Sequence, residues 1–209
     1  MNQQITTPAS RQPVISIGII AVCAIIYGLQ MNSESFFRTS MEHLALWPLF
    51  SGYFEAWQLL TYGFLHGSFN HIFFNMFAVF MFGFPLEKTW GSQRYAKYYG
   101  ICILGAGLIQ MLVQYFSPEI YPTIGASGAV FGLLLAYGVM WPDNKLFLIF
   151  LPVPIKAKWF VLIYGAAELL FGVTGMLPQV AHFAHLGGLF FGAALLWMWG
   201  WRPSMTWNR

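Results

Sequence analysis

Charge is the scarcest feature of this 209-residue sequence. Only 8% of the residues are charged, while 58% are hydrophobic. Soluble domains carry about 25% charged residues, and so few charges cannot cover a water-facing surface. Long uncharged runs also recur along the chain, as expected of segments that cross a bilayer. The composition excludes an ordinary soluble domain and predicts an integral membrane protein.

Cysteine is nearly absent as well, since Cys23 and Cys102 both fall within apolar runs. They predict neither a disulfide framework nor a metal site with cysteine ligands. The net charge is only +3, and no basic stripe with interleaved aromatics occurs, so nucleic acid is not an expected partner. No H-E-x-x-H motif is present. We expect no metal, zinc included, and no other cofactor.

Six apolar segments approach the ~20 residues that a helix needs to cross the hydrocarbon. We predict an all-α bundle of six transmembrane helices with these approximate limits: Pro13–Met31, Ser68–Phe84, Tyr95–Tyr115, Ser127–Trp141, Trp159–Leu177 and His182–Trp201. The first run, Val14–Leu29, is interpreted as a retained anchor because no convincing small-residue cleavage site follows it. The short run Leu146–Pro154 contains two prolines and is placed in a connection. One domain, 13–201, is expected between polar tails at 1–12 and 202–209.

The distribution of basic residues predicts the orientation. Lysine and arginine collect in cytoplasmic loops. With six spans and both termini in the cytoplasm, nine of the ten basic residues are cytoplasmic and only Arg38 is outside. An odd number of spans would place Arg202 and Arg209 outside. The charge pattern therefore supports six spans independently of hydropathy.

The first outer connection, Asn32–Gly67, is long and rich in aromatic residues. Long structured loops are often functional, and this one has enough apolar surface to lie partly in the membrane interface. A simple covering loop is the alternative.

The fourth span is short, and Ser127 stands at its head in "GASG". Fifteen residues cover about 22 Å against a hydrocarbon core of ~30 Å. Because "WPDNK" holds the inner end at water, the outer end must stop below the outer surface. Non-helical backbone is tolerated there only in protein or beside a watery cavity. We therefore predict an outward-facing cavity with Ser127 at its floor, where the helix N-terminus favours a developing anion.

A base for Ser127 is available at the start of the sixth span, in "AHFAHLGGLFFG". His185 shares one helix face with Gly188 and Gly192, since they are three and seven residues apart. Gly128 and Gly132 in the fourth span have the same spacing as the glycine pair. Two such faces allow helix backbones to approach closely, which a serine–histidine hydrogen bond needs. A structural histidine bonded to a backbone carbonyl remains the alternative.

Two further polar groups lie one turn apart on the second span. His71 and Asn75 in "NHIFFN" are four residues apart and share a face. Hydrogen-bond donors directed at an oxyanion are the expected third part of an acyl-transfer site; bonds to each other or to a nearby loop are the alternative. Glu168 in the fifth span has no evident partner. We interpret it as structural, although a transporter would use such a group as a proton relay.

These motifs together resemble the rhomboid intramembrane serine proteases. The resemblance covers about Trp57 to Gly192 and depends on "GASG", "AHLGG" and H-x-x-x-N, together with their order and placement at span ends. It implies the minimal six-span bacterial form, with the inner (plasma) membrane as the expected location. It also implies a serine endopeptidase that cleaves transmembrane segments of other membrane proteins with its site open to the outer side.

The resemblance assigns roles to individual positions. Ser127 is expected to be the nucleophile and His185 the base of a dyad without a third acid. His71, Asn75 and the Ser127 N–H match the oxyanion donors, and His182 has no matching role. The remaining expectations are structural: Glu87 at the cytoplasmic side, Phe131 packed against His185 where the family often has tyrosine, and the small residues Gly125, Gly128 and Gly188 near the site.

Trp57-Gln58 departs from the family's common Trp-Arg, so anchoring of the first loop is an open question. A catalytically silent relative that binds membrane proteins, or acts in their quality control, is the alternative function, but such relatives usually lack a dyad member. A small-molecule transporter is a third hypothesis. The fifth span and the 172–181 loop are candidate substrate gates by resemblance. The sequence predicts neither a substrate nor an oligomeric state.

Overall fold

The computed structural model describes residues 12–117, 119–148, 151–177 and 180–201, and the chain there is mainly helical. The predicted tails at 1–12 and 202–209 lie outside these residues, apart from Gln12. The helices and strands follow in chain order: α1 Val14–Asn32, α2 Glu34–Leu44, α3 Gln58–Thr61, α4 Phe69–Ala78, α5 Phe84–Trp90, α6 Ser92–Tyr115, α7 Ser127–Met140, β1 Lys145–Leu148, β2 Leu151–Lys156, α8 Ala157–Thr174 and α9 His182–Met198.

Six apolar helical segments agree with the predicted membrane architecture. Four of them in the described part of the chain are long and apolar enough to cross a membrane: Val14–Asn32, Phe69–Trp90, Ser92–Tyr115 and Ala157–Thr174. Two shorter apolar helices, α7 and α9, complete a set of six. The protein is a multi-pass membrane protein, and five of these six segments begin and end within three residues of their predicted limits.

The second span is longer than predicted. It continues from α4 through a π-helical segment, Val79–Gly83, into α5, and so ends at Trp90 instead of Phe84. Glu87 consequently lies inside this helix and not after it. Its carboxylate accepts hydrogen bonds from the backbone N–H of Ile15 and Ser16 and from the hydroxyls of Ser16 and Ser92, at 2.6–2.9 Å. Glu87 thus holds the N-terminus of α1, where free N–H groups favour an anion.

The connection after α7 contains two strands, although the sequence predicted an all-α protein. β1 and β2 form an antiparallel hairpin in which Lys145 pairs with Lys156 and Leu146 with Ile155. The run was correctly placed outside the spans, but its strands were not predicted. Asp143 at the base of the hairpin lies 3.0 Å from both Lys156 and Lys158. Hydrogen bonds from these two lysines lower the pKa of Asp143.

The first outer loop contains an amphipathic helix, α2, followed by an irregular segment with exposed apolar side chains, as a segment lying in the membrane interface would have. Exposed members of that segment are Leu49, Phe50, Tyr53 and Trp57. Gln58 occupies the position where the family commonly has arginine. It is fully buried, its amide N–H donates to the Tyr53 carbonyl at 2.8 Å, and its oxygen accepts from Trp47 N–H at 3.2 Å. Gln58 therefore anchors this loop without a charge.

The segment before α7 is non-helical, as the short fourth span requires. Leu46 and Thr123 exchange two backbone hydrogen bonds, and Gly125 N–H donates to the Tyr62 carbonyl. These bonds satisfy irregular backbone that is packed against protein. They also fix the position of the chain just before Ser127.

Glycines bring the three central helices together. α9 packs against both α6 and α7. At the centre, Gly188 of α9 lies directly against the backbone of Gly128 in α7, and a methyl group on Gly188 would overlap the Gly128 carbonyl. Gly187 is similarly close to the backbone of α6 at Gly105 and Ala106. This packing sets α7 and α9 at the separation that the site needs.

Candidate active site

Ser127 and His185 are in direct contact. Ser127 is the first residue of α7, and His185 lies in the first turn of α9. Their Oγ and Nε2 atoms are 2.7 Å apart, which is a hydrogen-bond distance. The Ser127 hydroxyl donates to Nε2 when that nitrogen carries no proton. The close backbone contact between Gly128 and Gly188 lies one turn or less from both side chains and explains how they meet.

The His185 ring is held on its face and at its far nitrogen. Phe131, one turn after Ser127, stacks on the imidazole with 4.3 Å between ring centroids and 11° between planes. Nδ1 of His185 lies 2.9 Å from Oε2 of Glu168 in α8. Three helices, α7, α8 and α9, thus determine the ring's orientation.

Glu168 is not the unpartnered carboxyl that the sequence suggested. The same oxygen, Oε2, lies 2.7 Å from Nδ1 of His182. Nε2 of His182 lies 3.0 Å from the Met176 carbonyl. Glu168, His182 and His185 are only 4%, 5% and 8% exposed. The interpretation of Glu168 as a group without a partner was therefore wrong, and His182 also has a defined contact.

His71 and Asn75 border the other side of Ser127. A methyl group at Gly125 would lie 2.6 Å from His71 Nε2 and 3.8 Å from Ser127 Oγ, so the imidazole packs against the backbone just before the serine. Gly125 has φ +118°, a conformation that favours glycine. The Asn75 amide donates to the His71 carbonyl at 2.8 Å. One of its two N–H groups is thus used within the helix, and the other is available.

Two cavities meet at Ser127 and His185, and both side chains line both of them. The first, which we call the interhelical cavity, has a volume of about 520 Å³ and is mostly apolar. It lies between the second span and α8, with lining residues that include Phe77, Ala78, Phe82, Phe160 and Tyr164, and Leu146 and Phe147 of β1. The second, the loop-side cavity, has about 870 Å³ and is more polar, and His71, Glu119 and Thr123 help to line it.

The histidine–glutamate cluster consists of residue types that also bind metal ions. Ligand atoms of Glu168, His182 and His185 lie within 4.8 Å of one another, and they form the metal-type group found in the described part of the chain. The nitrogen–oxygen separations of 2.7 and 2.9 Å are shorter than the about 3.4 Å between ligands around a tetrahedral zinc ion. These are hydrogen-bond distances, so the arrangement is that of a hydrogen-bonded cluster and not of a set of metal ligands.

Comparison with known proteins agrees with this arrangement. The Rhomboid domain family matches residues 53–202, which is more than half of the chain and includes every residue of the site. The chain belongs to the rhomboid family.

Curated relatives of this rhomboid come from plants and bacteria. Rhomboid-like protein 11, chloroplastic, of Arabidopsis thaliana is 29% identical over 199 residues, covering 90% of this chain and 68% of the relative. The rhomboid protease GlpG of Serratia proteamaculans (strain 568) is 29% identical over 194 residues, covering 89% and 63%. RHOMBOID-like protein 2 of Arabidopsis thaliana is 32% identical over 154 residues, covering 74% and 45%. The chain spans about half to two thirds of the length of these relatives.

The rhomboid site contains two residues that the sequence analysis did not assign to it. Glu168 and His182 are 17 and 3 residues from His185, and Glu168 is on a different helix. A signal was present: a carboxyl in an apolar span is costly unless it is paired, and the next span opens with two histidines on one helix side.

Proposed function

We propose that this rhomboid is an intramembrane serine endopeptidase that cleaves transmembrane segments of other membrane proteins. The observation that carries the proposal is the 2.7 Å contact between Ser127 Oγ and His185 Nε2 at the meeting point of an apolar cavity and a more polar one. A serine needs an adjacent base to become nucleophilic. A packing serine needs neither a base nor access to water.

The chemistry follows from this arrangement. His185 Nε2 takes the Ser127 proton as Oγ attacks a peptide carbonyl, and an oxyanion develops. His71, Asn75 and the backbone N–H of Ser127 are the proposed donors to that oxyanion. The same imidazole then gives its proton to the leaving amine, and an ester to Ser127 remains. Water entering by the loop-side cavity hydrolyses the ester, with His185 again acting as the base.

The two cavities support a division of access. The interhelical cavity opens between apolar helices, so a membrane helix reaches Ser127 from the bilayer without exposing its side chains to water. A helix hides its carbonyls in backbone hydrogen bonds, so the substrate must unwind locally. We therefore propose single-pass substrates with small or helix-weakening residues near the outer end. The lipid bilayer is the second partner.

We also propose that 13–201 forms one catalytic domain in the inner membrane, with both termini cytoplasmic and the loop-side cavity facing outwards. The distribution of basic residues supports this orientation.

The proposal is tested with a fluorophosphonate probe on protein purified in detergent, because an activated serine attacks the phosphorus, displaces fluoride and becomes phosphonylated. We expect wild-type protein to be labelled and both Ser127→Ala and His185→Ala to lose labelling, by at least about 10³-fold. Cleavage of a reporter membrane protein should be lost in parallel.

A folded, monodisperse wild type without any labelling would contradict the proposal. It would favour the catalytically silent relative that binds membrane proteins. Flux of a small solute that survives loss of Ser127 would favour a transporter instead.

A further inference from the structure

We propose that Glu168 is a positioning residue that fixes the proton on Nδ1 of His185, and that His182 controls the charge on the Glu168 carboxylate. The inference depends on the proposed function, because it describes how the base of that reaction is prepared. It replaces the expected dyad without a third acid by a Ser127–His185–Glu168–His182 relay.

One carboxylate oxygen of Glu168 contacts two imidazoles. Glu168 Oε2 is 2.9 Å from His185 Nδ1 and 2.7 Å from His182 Nδ1. All three side chains are buried where they line or border the site. A hydrogen bond at each contact requires one proton between each pair of atoms.

The two contacts of His182 determine where its protons lie. Its Nε2 faces the Met176 carbonyl at 3.0 Å, and a carbonyl only accepts, so Nε2 carries a hydrogen. The proton in the His182–Glu168 contact then lies either on Nδ1, giving an imidazolium beside a carboxylate, or on Oε2, giving two neutral groups. Both arrangements have no net charge.

These arrangements determine the tautomer of His185. In both neutral arrangements Oε2 still has a lone pair for the His185 contact, so Nδ1 of His185 donates and Nε2 is free to accept from Ser127. The opposite tautomer would need a protonated Glu168 donating to His185 together with a charged His182. That state leaves an uncompensated charge in a buried site, which is unfavourable. The cluster therefore selects the tautomer that acts as a base.

Glu168 and His182 should have opposite effects on the protonation of His185. Once His185 has taken the Ser127 proton, a negative Glu168 stabilises the resulting imidazolium. A positive His182 on the same oxygen weakens that stabilisation. Removing the charge of Glu168 should make His185 harder to protonate, and removing the charge of His182 should make it easier.

Other groups facing His185 are few and can be held constant. Ser127 and Phe131 face it from α7, and His71 from α4 lines the same loop-side cavity. Tyr164 of α8 packs on Phe131 with 4.9 Å between ring centroids. Among these groups and the others that line that cavity, His71, Glu119, Tyr121 and Tyr164 are titratable in addition to the relay itself.

The experiment measures the rate of fluorophosphonate labelling from pH 4 to pH 9 in detergent. Glu168→Gln should label about 10²- to 10⁴-fold more slowly, since histidine loses its fixed tautomer, and the acid limb of its pH profile should move to lower pH. His182→Asn keeps an N–H donor near the position of Nδ1 but removes the titratable ring, and its acid limb should move to higher pH. Glu168→Asp retains a carboxylate and should label at least about tenfold faster than Glu168→Gln.

Glu42→Gln is the matched control, because it makes the same chemical change on an exposed face of α2 away from the site. Its rate and pH profile should equal those of wild type. Thermal unfolding of each variant identifies any that do not fold. If Glu168→Gln does not fold, the upward shift in His182→Asn still decides the proposal.

The outcomes separate this inference from the proposed function. Wild type that labels while folded Glu168→Gln labels at the same rate and with the same pH profile would overturn the role of Glu168. Acid limbs that move in the same direction in Glu168→Gln and His182→Asn would overturn the role of His182. Wild type that does not label at all overturns the proposed function itself.

Discussion

His66 is a buried residue that should make the stability of the protein depend on pH. It lies in the short loop before α4, has no exposed surface, and packs edge-on to His71 with 5.0 Å between ring centroids. Burial lowers the pKa of His66 to about 3. The ring is therefore neutral in the folded protein at any pH above this value, and it adds no positive charge beside the proposed oxyanion donor.

This burial predicts that acid destabilises the protein through His66. The pKa of an unfolded histidine is about 6.5, so between pH 6.5 and pH 3 the unfolded state binds the extra proton. The free energy of unfolding therefore falls as the pH falls through this window and is unaffected above it. Between pH 6.5 and pH 4.5 the loss should be about 2 kcal/mol.

The measurement is unfolding in mixed detergent micelles at pH 7 and pH 4.5. His66→Leu should lose less stability on acidification than wild type. His43→Leu, at an exposed position of α2, should retain the wild-type pH dependence. Equal pH dependence in wild type and His66→Leu would contradict the prediction.

At the scale of helices, the contact between α7 and α9 determines the site. Gly188 meets the Gly128 backbone with no room for a methyl group, and Ser127 and His185 lie beside this point. A shift of about 1 Å between catalytic groups can reduce a rate about 10²-fold. The glycines are therefore part of the site's geometry although they carry no chemistry.

Gly188→Ala should consequently separate α7 from α9. We expect a loss of about 3 kcal/mol in the free energy of unfolding, at the upper end for overpacking because the obstacle is backbone. Fluorophosphonate labelling should slow by about 10²-fold. Gly100→Ala in α6 is the control, because nothing lies within 4 Å of the added methyl group. It should label at the wild-type rate and lose no stability, since alanine in a helix interior is about 1 kcal/mol more favourable than glycine. Wild-type labelling by Gly188→Ala would show that the two helices can separate without harm.

Helix positions were largely predictable from the sequence, but two local features were not. Long apolar runs, basic residues at their ends and glycine spacing sufficed for the spans and for the meeting of α7 with α9. The π-helical segment Val79–Gly83 has no marker in an apolar run that a regular helix would fit equally well. The strands of the hairpin could not be predicted because an apolar run with Pro152 and Pro154 shows no clear alternation of apolar and polar residues.

At the scale of the whole molecule, the proposed function assigns membrane access to one cavity and water access to the other. Ala78 lines the interhelical cavity on the second span. Ala78→Trp should fill part of this cavity, so cleavage of a reporter membrane substrate should fall at least about tenfold, since a membrane helix no longer fits. Labelling by a small fluorophosphonate should slow far less, because the loop-side cavity remains open.

Ala24→Trp is the matched control, since this alanine is exposed on α1, away from both cavities. It should leave cleavage and labelling as in wild type. An Ala78→Trp variant that cleaves the reporter at the wild-type rate would exclude the interhelical cavity as the substrate route.

The site itself could be predicted only as far as each helix carries its own signal. Ser127 and His185 were recognisable because each opens an apolar helix within a small-residue motif. The relay was not, because the link between Glu168 and the two histidines depends on how α8 is rotated against α9. Spacing along one helix does not determine the rotation between two helices.

In the proposed reaction, the placement of Glu168 on α8 would affect the order of events in a turnover. Of the four long candidate spans, α8 has the smallest buried share, 11%, against 22–50% for the other three. An outward displacement of α8 would widen the interhelical cavity and at the same time withdraw the carboxylate from His185. A molecule open to a substrate helix would then have a weak nucleophile, and bond cleavage would wait until α8 returned. Such a protease would be inactive while its interhelical cavity is open, so membrane proteins could enter and leave without being cleaved.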